Sequence, residues 1–104
     1  MDIISPVDGV VTYVSKCYPY GGNLDQYKIH IAYAHRNGNL FQLELGIEPM
    51  AGALCSGPTG TPGYYDPYIL VAQNDRVSKG QKIGSMVLVP GSASHIHFNS
   101  KYQN

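Results

Sequence analysis

From Tyr27 to Ala34 the chain alternates with period two. Tyr27, Ile29, Ile31 and Tyr33 share one face, and Lys28, His30, Ala32 and Ala34 the other. Leu40 to Leu45 repeats the pattern, with Phe41, Leu43 and Leu45 opposed to Gln42 and Glu44. Between the two runs lies His35-Arg36-Asn37-Gly38-Asn39, whose Asn-Gly pair readily takes the positive φ angles of a tight hairpin. The two runs are therefore expected to be antiparallel neighbours. Val10 to Val14 is β-branched and aromatic without a break and follows the turn-forming Ser5-Pro6-Val7-Asp8-Gly9, which predicts an earlier strand. A short strand is expected at Tyr68 to Ala72, followed by a turn over 74–81, after which Ile83 to Val89 runs apolar through to Pro90. The last predicted strand is His95 to Asn99, with Ile96 and Phe98 inward and His95, His97 and Asn99 on the opposite face.

Twelve glycines and seven prolines among 104 residues interrupt every stretch long enough for a substantial helix, so the expected class is all-β. Apolar residues make up 43% and charged residues 13%, which excludes charge-driven disorder. The length fits one domain, residues 1–104. A formal net charge of zero removes the electrostatic footprint of non-specific nucleic-acid or anionic-membrane binding. No apolar run has transmembrane length, and Met1-Asp2-Ile3-Ile4-Ser5-Pro6 lacks the basic start and apolar core of a signal peptide, so a cytoplasmic location is expected. Cys17 and Cys55 have no partner at metal-ligand spacing. They are expected to be reduced, partly buried small hydrophobes; the alternative is a loop-closing disulfide in an oxidising compartment.

The strongest local chemical signal is His95-Ile96-His97. Residues two apart in a strand project to one face about 6.6 Å apart, as a metal site or an acid/base pair built on a strand requires. By parity, Gln42 and Glu44 lie on the polar face of one hairpin strand and His30 on that of its partner. If these faces coincide, His30, Glu44, His95 and His97 converge; the alternative is that each strand turns its polar face to water. The stretch from Gly46 to Tyr68 carries no period, and so long an irregular segment in a small domain is usually functional. Tyr64, Tyr65 and Tyr68 lie there amid Gly and Pro, and Tyr supplies large rigid contact area, which makes them candidate ligand-binding residues. The alternative is that these rings cap the open end of a barrel. Tyr18-Pro19-Tyr20 offers a second aromatic patch.

Val77-Ser78-Lys79-Gly80-Gln81-Lys82-Ile83-Gly84, followed by Gly91-Ser92-Ala93-Ser94 and His95-Ile96-His97-Phe98, resembles the C-terminal signature of LytM/lysostaphin-type zinc endopeptidases. Val7-Asp8-Gly9-Val10-Val11 looks like the opening strand of that fold, and Tyr20-Gly21-Gly22-Asn23 like its glycine-rich loop. The glycine turn alone is shared with biotinyl and lipoyl domains and with the glucose phosphocarrier; the His-x-His-Phe ending decides between them. The resemblance implies a small barrel-sandwich hybrid or LytM-like β fold, with the Gly/Pro/Tyr-rich stretch as an insertion. It also implies that His97 matches a zinc ligand and that His95 matches the histidine that handles the attacking water or the oxyanion. The family's other two ligands come from a His-x-x-x-Asp motif preceding the equivalent of Val7, and the chain begins too late to contain it. Glu44 stands where the family has its second catalytic histidine.

A catalytic zinc needs three protein ligands to hold its geometry and to lower the pKa of its bound water to about 7, and the resemblance supplies one. The expectation is therefore a non-catalytic protein on a degenerate peptidase scaffold, without a cofactor. It would bind a small molecule, a glycan or peptide, or a protein partner, with homo-oligomerisation open. Three alternatives stand beside it. One is a zinc-dependent peptidoglycan endopeptidase with a site rebuilt from Glu44, His95 and His97, in which His95 and Glu44 would be catalytic. Another is a phage-encoded protein that sequesters a small signalling nucleotide or metabolite. The third is a structural or assembly module.

Overall fold

The structure, a computed structural model, describes residues 1–20, 24–35, 37–48, 66–85 and 95–103; within these, the side chains of 16–20, 24–26, 48, 95, 97 and 101–103 are outside the description. The elements in chain order are β1 (Asp2–Ile4), β2 (Gly9–Tyr20), β3 (Leu24–Ala34), β4 (Leu40–Glu48), a 3-10 turn at Asp66–Tyr68, β5 (Arg76–Val77), β6 (Lys82–Ser85) and β7 (His95–Gln103). The chain is all-β, as expected. It forms a five-stranded sheet in the order β5-β2-β3-β4-β7 and a two-stranded sheet β1-β6, with every pairing antiparallel. Among the described residues no pair joins β5 to β7, so the large sheet stays open. No described helix is long and apolar enough to cross a membrane.

The predicted hairpin is the spine of the sheet. β3 and β4 pair without a slip from Tyr27↔Ile47 to Ala34↔Leu40. Two backbone bonds close the loop, His35 N to Asn39 O and Gly38 N to His35 O, each 2.8 Å. Gly38 has φ 88°, a left-handed conformation that glycine adopts without steric cost. The alternation then decides what is buried. Tyr27, Ile29 and Ile31 of β3 and Leu43, Leu45 and Ile47 of β4 join Val11, Val77, Ile69, Val71, Ile3 and Ile83 in one core cluster. Each such aliphatic side chain contributes about 1.5–3 kcal/mol by leaving water.

The chain crosses between the sheets at 78–81. Gly80, at φ 88°, makes the turn, and its N–H donates to Ser5 O at 2.7 Å while Ser5 N–H donates to Gln81 O at 2.8 Å. Lys79 N–H donates to Asp8 Oδ1 at 2.7 Å. The two segments singled out in the sequence as turns therefore clamp one another.

Several expectations are corrected. Tyr68 to Ala72 is not a strand: the 3-10 turn occupies Asp66–Tyr68 and only a single bridge, Ile69↔Gly84, follows. The alternation was real, since Ile69 and Val71 are buried and Leu70 is 54% exposed. The ladder fails because Ala72 N–H donates to the Asp75 carboxylate at 2.9 Å instead of to a neighbouring strand. β4 does not end at Leu45; Gly46, Ile47 and Glu48 remain paired with β7. Phe98 does not face a covered interior: it is 61% exposed, on the outer strand of the sheet. β1 and β5, of three and two residues, are too short for periodicity to reveal. Of Ile83 to Val89, residues 83–85 belong to β6 and the rest lies outside the described residues.

Candidate functional site

The outward face of β3 and β4 carries a row of polar side chains. His30 pairs in register with Glu44, and Glu44 with Asn99 of β7. The parity argument thus places His30 and Glu44 side by side. Gln42, one step along β4, links them: its Nε2 lies 3.2 Å from His30 Nδ1 and donates to Glu44 Oε2 at 3.0 Å. Asn99 Nδ2 donates to Glu44 Oε1 at 3.3 Å. Both carboxylate oxygens therefore accept from side-chain amides.

The Gln42 contacts set the chemistry of the imidazole. Turned the other way, the amide would place its oxygen against the carboxylate, so the nitrogen faces Glu44 and the same NH2 group reaches His30. An NH2 only donates. His30 Nδ1 is then the acceptor, and the neutral ring carries its proton on Nε2, which is buried.

Tyr13 was not singled out in the sequence and belongs here. The β2–β3 register shifts between Val11↔Ile31 and Tyr13↔His30. This irregularity lets Val11 and Val14, three apart, both serve the core while Tyr13 packs tilted against His30, with ring centroids 4.9 Å apart and the ring planes at 50°. Thr12, at the shift, donates its hydroxyl to His30 O at 3.4 Å. Unbroken period two would have sent Tyr13 to the same face as Val11.

His95 and His97 stand on β7 opposite Glu48 and Gly46, four and two residues before the Asn99 that faces Glu44. Their side chains lie outside the described residues, as do Tyr64, Tyr65 and Cys55 and the side chains of Cys17, Tyr18, Pro19 and Tyr20. Tyr68 is half-buried and packs against the core cluster. Among the described residues no three His, Cys, Asp or Glu side chains gather as a metal site requires.

Comparison with known protein families, with curated proteins and with solved structures finds no match to this chain.

Proposed function

We propose that the chain is a non-catalytic binding domain on a degenerate scaffold of LytM type, and that the polar face of β3, β4 and β7 contacts a small-molecule, glycan or peptide ligand. The observation that supports this reading is the engagement of Glu44: one oxygen accepts from Gln42 and the other from Asn99, while Gln42 also occupies Nδ1 of His30. A hydrolytic metal site needs carboxylate and imidazole lone pairs directed at the ion, with partners that orient them from behind. Here an amide nitrogen meets each Glu44 oxygen and Nδ1 of His30, so one acceptor site on each of these atoms points at a protein donor. A preorganised amide-rich surface suits recognition of polar groups, with Tyr13 supplying an aromatic edge.

Native mass spectrometry with elemental analysis of the full chain, after zinc supplementation, tests the reading. The expected result is metal-free protein. One zinc per chain, lost on His97→Ala, would establish the rebuilt peptidase site instead.

A further inference from the structure

At the other end of the same sheet face, the polar row gives way to a hollow. Ala32 and Ala34, successive outward positions of β3, carry one-carbon side chains and form a low floor. Val10 pairs with Ala32 on one side, and Leu40 pairs with Ala34 on the other. Arg76 of β5 pairs with Val10 and adds a cationic wall. The hollow is open to solvent and has a volume of about 520 Å³, within the range of small-molecule sites.

Two features make this more than a dent. Leu40 leaves 49% of its surface open beside the alanine floor, so apolar area awaits a cover. The Arg76 side chain is exposed and makes no ion pair among the described residues. The nearby carboxylate of Asp8, which also lines the hollow, is engaged by the backbone N–H of Lys79 at 2.7 Å. An apolar floor bordered by an unpaired guanidinium is complementary to a flat apolar body that bears one anionic group, which the guanidinium can hold through two parallel bonds.

We propose that this hollow binds a small organic anion, its flat apolar part on Ala32 and Ala34 between Val10 and Leu40, and its phosphate or carboxylate on Arg76. The site is distinct from the His30–Glu44 row and stands whether or not that row binds anything.

The test is an amide NMR titration of the full chain with two matched pairs: adenosine monophosphate against adenosine, and 2-naphthoate against 2-naphthalenemethanol. At least one anion is expected to shift the amides of Val10, Ala32, Ala34, Leu40 and Arg76, with its neutral counterpart about tenfold weaker or more. A preference for the nucleotide assigns the phosphate source, and one for naphthoate the carboxylate source. Arg76→Gln should lower the anion to the level of its neutral partner. Ala34→Phe should abolish binding of both while the remaining amide spectrum stays that of the folded chain. The proposal is overturned if neither anion shifts these amides at about 5 mM, if charged and neutral partners bind alike, or if Arg76→Gln leaves affinity unchanged.

Discussion

Gln42 Nε2 lies 3.2 Å from His30 Nδ1, across the hairpin that joins their strands. Because Glu44 holds the same amide nitrogen at 3.0 Å, the orientation of Gln42 and the tautomer of His30 are one decision. Nitrogen-15 NMR of the neutral imidazole should find the proton on Nε2. Gln42→Leu should release that preference and destabilise the chain by about 1–2 kcal/mol, read from urea unfolding, since two hydrogen bonds in a partly buried row are lost. An Nδ1–H signal in the native chain would refute the arrangement.

Tyr27 is 2% exposed, and its hydroxyl lies 3.2 Å from Asp66 Oδ1, tying β3 to the 3-10 turn. Tyr27→Phe keeps the ring and removes the tie, at an expected cost of about 1 kcal/mol. Tyr27→Ala also empties the core position and should cost about 3–5 kcal/mol. Similar melting points for the two variants would contradict this division.

Gly9 and Gly38 are both glycines for different reasons. A methyl group on Gly9 would collide with the backbone carbonyl oxygen of Ala32 and reach within 2.8 Å of Ile31 Cγ2. Gly9→Ala must therefore push β2 away from β3, with a destabilisation of about 1–3 kcal/mol. At Gly38 nothing lies within 4 Å of the added carbon, and only the positive φ is strained, so Gly38→Ala should cost about 1–2 kcal/mol. Amide spectra separate the cases: shifts should spread along β2 and β3 for the first and stay in the hairpin loop for the second.

Leu45 and Phe98 are register partners with opposite fates, 0% and 61% exposed. Leu45→Ala should lose about 2–5 kcal/mol. Phe98→Ala should change stability by about 0.5 kcal/mol or less. Equal losses in chemical denaturation would mean that Phe98 is covered in solution.

Much of the hairpin was legible in advance because its information is local. Tyr27, Ile29 and Ile31 alternate with Lys28, His30 and Ala32, and burial follows that alternation. The adjacency of His30 and Glu44 also followed from parity and the hairpin turn. Tyr13 did not, because the first β2–β3 irregularity reverses the face of Tyr13, Val14 and Ser15, and no periodic signal marks the slip. Nor did Asn99 as the partner of Glu44, since the β4–β7 register joins residues 55 apart in sequence.

The all-β class, the Asn37-Gly38 turn and the inward faces of β3 and β4 were determined by the sequence alone, through backbone preferences and period-two alternation that act over a few residues. Tertiary structure decided which strands lie side by side, where β2 slips, that Phe98 stands at an uncovered edge, and that two alanines beside Arg76 leave a hollow. Those outcomes depend on pairing between distant segments, whose register is chosen by the packing of the whole core.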